Sequence, residues 1–373
     1  MNRWLIGYAK AAELSDMFRG RPDHIGLIAA GLFGEAGSVL AEVKKRQREE
    51  DVYPRYLGAL GEELGDCLWY FVRLIDECDR PLLRDIARQH TRASRRPTLP
   101  SALKLGAAVG RVAATVELKN SAGLREALIE TWRALELVAA GMQLSLQHAA
   151  DANLRKTQSR WPLESAQSGW PRASDYHPLF DANEQREERL PRELEIEFIE
   201  RGPDRKQVIL RCNGINVGAR INDNISDPDH YRYHDIFHLS YAVFLGWSPV
   251  IRSLLRCKRK SDPNADENED GARAGIIEEA ISAIVFSRAK NLRYFDGATQ
   301  VDYDLLKNIA EFVRGYEVAA VSAWQWERAI LEGFRIFRLL RANRGGHVFL
   351  NLTNRSIRYR APRRKPTVTV RKH

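Results

Sequence analysis

Two amphipathic segments with acidic residues at particular positions limit the fold of this 373-residue chain more than any other feature. Apolar side chains recur at helical spacing in residues 27–45, and residues 56–75 repeat this pattern. The first segment contains Glu35, and the second contains Glu63 and Asp66, which are three residues apart and therefore share one helix face. Clusters of oxygen ligands suit Mg²⁺ or Mn²⁺ better than zinc. The pattern predicts paired helices with an acidic metal site, and hydrolysis of a phosphate ester or anhydride.

The residues around these acids carry a family resemblance. Residues 31–39 read Gly-Leu-Phe-Gly-Glu-Ala-Gly-Ser-Val, and residues 62–70 read Glu-Glu-Leu-Gly-Asp-Cys-Leu-Trp-Tyr. Both stretches resemble the helix pair of the MazG-like, all-α nucleoside triphosphate pyrophosphatases, in which Glu-x-x-Glu faces Glu-x-x-Asp and four carboxylates hold Mg²⁺. The resemblance implies that Glu35, Glu63 and Asp66 hold Mg²⁺ or Mn²⁺. It also implies that a nucleoside triphosphate is hydrolysed to a monophosphate and pyrophosphate.

One position departs from the family pattern. Ser38 stands where the family has its second glutamate, so one expected ligand is missing. Glu42, one turn further on, or Glu62 could compensate, and these two residues are also the candidate general bases. The departure leaves an alternative function, a catalytically silent nucleotide sensor coupled to a C-terminal effector domain. A plainer alternative is that the acids form a solvated helix face near Lys44 and Arg73.

Residues 101–162 read like a second, altered copy of residues 27–97. Residues 105–112 echo residues 32–39, but Ala108 takes the place of Glu35 and Arg111 takes the place of Ser38. The second copy has therefore lost the acidic cluster. MazG-like units generally pair as helical dimers, so the resemblance implies that a tandem duplication supplies both partners within one chain.

The end of the second copy retains a different part of the family pattern. Asn153, Lys156 and Arg160 reproduce the Asn-x-x-Lys-x-x-x-Arg ending of MazG-like units. The resemblance implies that these residues bind substrate, since Lys156 can contact phosphate by charge and Arg160 by bidentate hydrogen bonding. The alternative is an ordinary basic last turn, which the helix dipole favours.

The remainder of the chain predicts a separate domain. Ser, Pro, Gln and charged residues crowd together in residues 163–191, which we interpret as a linker. Period-two alternation from residue 193 predicts a small antiparallel meander, and helices follow it. We therefore expect a mainly α protein, in which a tandem MazG-like helical bundle precedes an α+β domain. The predicted divisions are residues 1–98, 99–162, 163–191 and 192–373.

A histidine-rich segment is the sharpest local feature of the C-terminal domain. It reads His230-x-x-x-His234-Asp235-x-x-His238, and we expect it to lie in a helix at residues 228–245 with its histidines along one face. Two histidines four residues apart can chelate a transition metal, and this chelate makes a metallohydrolase centred on them a third functional hypothesis. Glu278 or Glu279 could complete the site, and Asp235 could bridge or orient a ligand. The alternative is a set of buried histidines hydrogen-bonded to acidic residues.

Composition adds expectations about partners and location. The net charge of +9 is concentrated in residues 258–260 and in the tail from residue 355, which predicts nonspecific attraction to polyanions such as nucleic acid. The sequence shows no apolar run of about eighteen residues and no signal peptide, so we expect a cytoplasmic protein without a membrane partner. The four cysteines are far apart in sequence, which predicts reduced thiols. Pairing into a homo-oligomer is left open.

Overall fold

The computed structural model describes residues 2–88, 99–118, 121–141, 143–162, 169–202 and 206–362. The chain divides into two compact units, Met1–Ala166 and Gln167–His373. Within the described residues there are twelve α-helices and one five-stranded antiparallel sheet. The predicted fold class, mainly α with a small antiparallel sheet, is confirmed.

The first unit is entirely helical over its described residues. Its α-helices are α1 (Trp4–Leu14), α2 (His24–Glu49), α3 (Tyr56–Cys78), α4 (Arg80–Arg88), α5 (Leu99–Glu117), α6 (Ser121–Gly141) and α7 (Leu146–Arg160). The long helices pack in pairs, α2 on α3 and α5 on α6, while α2 also packs on α5 and α3 on α7. Consequently α3, which carries two of the predicted metal ligands, lies between α2 and α7.

Helix α3 forms because its apolar residues return to one face every three or four positions. Leu60, Leu64, Leu68, Phe71 and Ile75 are completely buried in the core of the first unit. Burial of each such side chain contributes roughly 1.5–3 kcal/mol relative to exposure. The core therefore fixes the rotation of α3 about its axis, and that rotation decides where its acidic residues point.

One described helical segment, His24–Val52, is long and apolar enough to cross a membrane by length and composition alone. It lies near the N-terminus, and 28% of its most apolar window is buried inside the structure. A single segment of this kind is weak evidence for a membrane span, because core helices and signal sequences meet the same criterion. Leu32 and Val39 of this segment belong to the core of the first unit.

The second unit combines a sheet with helices. Its strands are β1 (Glu193–Arg201), β2 (Gln207–Cys212), β3 (Ile215–Ile221), β4 (Gly345–Asn351) and β5 (Ser356–Arg360), and its α-helices are α8 (Asp235–Leu245), α9 (Pro249–Leu255), α10 (Ala272–Lys290), α11 (Tyr303–Phe312) and α12 (Ala323–Asn343). The strand order is β3-β2-β1-β4-β5. On β1 the side chains of Ile196 and Phe198 are buried in the core, as period-two alternation requires.

The predicted linker differs from the structure where it can be compared. Residues 163–168 lie outside the described residues, but residues 169–191 pack on the second unit. Tyr176 and Leu190 belong to its hydrophobic core. Asp181 is completely buried and accepts hydrogen bonds from Arg192 and Arg252. Isolated residues, namely Tyr176, Leu190 and Asp181, hold this irregular segment against the rest of the second unit. Isolated contacts of this kind have no sequence period, so the sequence pattern did not reveal them.

Candidate functional site

The structure brings together the three acidic residues that the sequence singles out. Glu35 on α2 faces Glu63 and Asp66 on α3, and one carboxylate oxygen of each lies within 4.8 Å of the others. All three side chains are half-buried. Every donor atom in this cluster is a carboxylate oxygen, a set that suits a hard divalent cation. We call Glu35, Glu63 and Asp66 the carboxylate cluster.

The negative charge of the carboxylate cluster contributes to raised pKa values in neighbouring side chains. Burial, followed by the charges of Glu35, Asp66 and Glu63, raises the pKa of the Cys67 thiol well above its usual value. Burial and the charges of Glu35 and Asp66 likewise raise the pKa of the Tyr70 hydroxyl. The surroundings thus disfavour further negative charge and favour a cation.

Helix α7 brings two polar side chains to the same place. Lys156 Nζ lies 2.5 Å from Asp66 Oδ1 and 3.3 Å from Glu62 Oε1. Asn153 Nδ2 donates to Asp66 Oδ1 over 2.6 Å. Burial alone would lower the pKa of the Lys156 ammonium, but the charges of Asp66 and Glu62 and its hydrogen bonds to them outweigh burial and raise that pKa. The Asn-x-x-Lys motif and the acids predicted from the first half of the sequence therefore meet.

A glycine permits this close approach of α7 to α3. A Cβ atom at Gly65 would lie 2.7 Å from the carbonyl oxygen of Ala149 and 3.1 Å from Asn153 Cβ. Only glycine leaves enough space for α7 at this level. Tyr8 secures the arrangement, since its hydroxyl donates to Asn153 Oδ1 over 2.9 Å and lies 3.3 Å from the carbonyl oxygen of Gly65. Sequence reasoning missed Tyr8, because α1 carries no motif that points to the site.

The other predicted residues of this site occupy different surroundings. Glu62 shares Lys156 with Asp66, so it lies beside the carboxylate cluster. Glu42 instead accepts a hydrogen bond from the Tyr53 hydroxyl. It is seven residues from Glu35, about 10 Å along the helix. The Arg160 side chain is 8% exposed and lies over the Trp161 ring, with 5.1 Å between its Cζ atom and the ring centroid.

The histidine segment of the second unit is only partly helical. His230 has a left-handed backbone conformation, with φ of 73°, and its Nδ1 atom accepts a hydrogen bond from Arg232. A short 3₁₀ helix, Tyr231–Tyr233, separates it from α8. The expected alignment of three histidines along one helix is therefore wrong for His230. The α-helix predicted for residues 228–245 therefore begins only at Asp235.

His234 and His238 lie close together, and two acidic residues, Asp235 and Glu279, lie beside them. One donor atom each of His234, Asp235 and His238 lie within 4.8 Å of one another, and the three side chains are 12%, 8% and 0% exposed. Glu279 Oε2 lies 3.4 Å from His238 Nε2 and 3.7 Å from His234 Nε2. We call these four residues the histidine cluster.

Glu278 lies on the other side of the His238 ring. Its Oε1 atom is 2.9 Å from His238 Nδ1 and also accepts a hydrogen bond from Ser248. Its Oε2 atom accepts from the backbone N–H of Val250 over 2.9 Å. Because its oxygens are engaged there, Glu278 orients His238, and Glu279 rather than Glu278 faces the donor atoms of the histidine cluster.

Comparison with known proteins gives one finding. Residues 175–363, just over half of the chain, match the family model described as the MazG C-terminal domain. The matched range includes the complete histidine cluster. A search of curated proteins and a search of solved structures each found no match.

Proposed function

The chain belongs to the MazG C-terminal domain family, and from this premise we propose that its first unit is a metal-dependent nucleoside triphosphate pyrophosphohydrolase. The reaction converts a ribo- or deoxyribonucleoside triphosphate and water to the monophosphate and pyrophosphate. The observation that carries the proposal is the meeting of Glu35, Glu63 and Asp66 with Lys156. Acidic ligands for a cation and a basic group for phosphate are the parts that this chemistry requires.

The donor set fits Mg²⁺ or Mn²⁺. Glu35, Glu63 and Asp66 would hold the ion through oxygen atoms. Burial is the main cause of the raised pKa of the Cys67 thiol, and the charges of the three carboxylates add to it, which supports a site with concentrated negative charge. When bound, the ion would neutralise part of the triphosphate charge and polarise a phosphoryl oxygen.

The residues of the chain itself supply binding and proton transfer. Lys156 can contact a phosphate oxygen by charge, and the amide of Asn153 can donate a hydrogen bond next to it. Glu62 is the better placed of the two predicted bases, since Lys156 already holds it beside Asp66. Water attacks the α-phosphorus, the bond to the bridging oxygen of pyrophosphate breaks, and Glu62 accepts the proton that water releases. The predicted phosphate contact of Arg160, whose side chain is buried, stays a prediction.

The origin of these groups supports the proposed duplication. Glu35, Glu63 and Asp66 come from the first predicted copy, whereas Asn153 and Lys156 come from the second. Each predicted copy contributes a pair of long packed helices, α2 with α3 and α5 with α6. Under this proposal one chain supplies the acidic half and the basic half that two partners supply in a helical dimer.

The test is an assay of the purified full-length chain against ribo- and deoxyribonucleoside triphosphates with Mg²⁺ or Mn²⁺. Monophosphate and pyrophosphate are measured separately. Glu63→Gln and Asp66→Asn should each abolish turnover, because amides keep the shape but remove the charge that a hard cation requires. The matched control is Glu130→Gln. Glu130 is an exposed acid on α6 that pairs with Arg111 of α5, and the variant should keep full activity.

The outcomes separate the three hypotheses from the sequence. Nucleotide binding without turnover in the wild-type protein would favour the sensor, and Ser38 would then mark the lost ligand. Turnover that survives Glu63→Gln but is lost in His234→Ala would assign the hydrolysis to the histidine cluster. Unchanged turnover in both carboxylate variants refutes the proposed site.

A further inference from the structure

The two ring nitrogens of each histidine in the histidine cluster have different partners. His234 Nδ1 is 3.0 Å from the backbone carbonyl oxygen of Tyr231, and because a carbonyl can only accept, Nδ1 carries the hydrogen. His238 Nδ1 lies against the Glu278 carboxylate, which also accepts hydrogen bonds. In the neutral rings, both Nε2 atoms therefore present lone pairs toward Glu279.

The orientation of both rings is set by groups outside the cluster. Ser248 and the Val250 amide hold Glu278, and Glu278 holds His238. The Tyr231 ring stacks on the His234 ring with 4.4 Å between centroids. Metal-binding histidines usually donate their second ring N–H to a carboxylate or a carbonyl in this way.

Distances between the donor atoms fit coordination better than hydrogen bonding. His238 Nε2 is completely buried and has no hydrogen-bond partner within the described part of the chain, and Glu279 Oε2 lies 3.4 Å away. His234 Nε2 lies 3.7 Å from Glu279 Oε2 and 3.9 Å from Asp235 Oδ1. A tetrahedral ion with bonds of about 2.0–2.1 Å holds its donor atoms about 3.4 Å apart. The two distances from Glu279 Oε2 are close to that spacing, whereas the donor atoms of His234, Asp235 and His238, which lie within 4.8 Å of one another, would move closer together around an ion.

We propose that His234, His238, Asp235 and Glu279 bind one divalent transition-metal ion of the zinc, iron, manganese or nickel type. Two imidazole nitrogens and two carboxylates form a mixed donor set that suits these ions, whereas the carboxylate cluster of the first unit offers oxygen alone. Glu278 is a positioning residue that acts through His238. The Glu279 side chain is 47% exposed, which gives the ion a route from solvent.

The competing arrangement is an imidazolium at His238. The carboxylates of Glu278 and Glu279 lie on either side of the His238 ring, and their negative charge can be balanced either by a proton on the ring or by a metal ion. The two arrangements differ in metal content, so elemental analysis distinguishes them.

The experiment uses full-length protein purified without a histidine tag, in a Glu63→Gln background that disables the carboxylate cluster. Elemental analysis should give close to one transition-metal ion per chain. After chelation, titration with Co²⁺ should restore one equivalent and produce visible absorption bands typical of nitrogen and oxygen ligands. His234→Ala and Glu279→Gln should each lose the ion, and exposed Glu279 can change without disturbing the core.

A second histidine beside acidic residues provides the matched control. His347 on β4 lies 2.9 Å from Glu195 and 3.9 Å from Glu197, yet it belongs to the sheet, and His347→Ala should keep the ion. Glu278→Gln should weaken Co²⁺ binding by about 10- to 100-fold while the absorption bands keep their form. No bound ion in the parent protein after titration, or equal binding in Glu279→Gln, overturns the site.

Discussion

Gly65 offers the sharpest test of how the first unit builds its site. Alanine at this position would place Cβ 2.7 Å from the Ala149 carbonyl oxygen, where ordinary contact begins near 3.4 Å. Helix α7 would have to retreat by about 0.7 Å, because the contacted atom belongs to the backbone and cannot rotate away. The hydrogen bonds from Asn153 and Lys156 to Asp66 would lengthen with it.

A neighbouring glycine on the same helix isolates the energy of this contact. Gly61 lies one turn before Gly65, and a Cβ there would meet no atom within 4 Å. Gly61→Ala should stabilise α3 by roughly 0.5–1 kcal/mol, because alanine favours the helix. Gly65→Ala gains the same amount but loses about 1–3 kcal/mol to overpacking. The difference in the free energy of unfolding between the two variants should therefore be about 1–3 kcal/mol.

Native-state hydrogen exchange measured on peptides from α3 and α7 gives this difference directly. One to three kcal/mol corresponds to roughly 5- to 150-fold faster exchange in Gly65→Ala than in Gly61→Ala. Turnover should fall in Gly65→Ala and persist in Gly61→Ala under the proposed function. Equal exchange in the two variants would show that α7 does not press against Gly65, and the account of the site would fail.

Two further perturbations test the remaining parts. Asp181→Asn should destabilise the second unit by about 1.5–3 kcal/mol, because it removes the charged hydrogen-bond partner that Arg192 and Arg252 share and leaves Arg252 with Asp270 alone. Burial would raise the pKa of Asp181, but Arg192, Arg252 and the Leu190 amide outweigh burial and lower it. The stabilisation is therefore complete above the unfolded-state pKa of about 3.9 and is lost as pH falls through the lower folded-state value. The melting temperatures of the wild type and the variant should differ at pH 7, and the difference should shrink as pH falls below about 3.9. Ser38→Glu should raise Mg²⁺ affinity about fivefold or more, since a unit charge about 4 Å away contributes about 1–4 kcal/mol. Calorimetric titration checks this, and unchanged affinity would mean that position 38 faces away from the ion.

Periodicity predicted the elements that depend on a regular buried face. The apolar spacing of residues 56–75 predicted α3, and the core orients this helix so that Glu63 and Asp66 meet Glu35. The alternation from residue 193 likewise predicted the meander of β1, β2 and β3. In each case a single local rule fixes the direction of the side chains.

Features that depend on long-range contacts could not be predicted in this way. Adjacent glutamates on α10 have opposite roles, since Glu278 orients a ring and Glu279 faces the donor atoms. The rotation of α10 against α8 decides between them, and local sequence does not record that rotation. Tyr8 reaches Asn153 across 145 positions of sequence for the same reason.

The contacts of Lys156 link cation binding to nucleotide binding in the proposed reaction. Its ammonium forms an ion pair with the Asp66 carboxylate. A phosphate that attracts Lys156 would therefore free oxygen atoms of Asp66 to bind the ion. An ion on Asp66 would in turn release Lys156 toward phosphate. Because coupling between two binding events is reciprocal, each should strengthen the other by the same factor. A lysine that offsets part of the negative charge of the site in the absence of substrate would thus also make assembly of the charged site depend on the triphosphate.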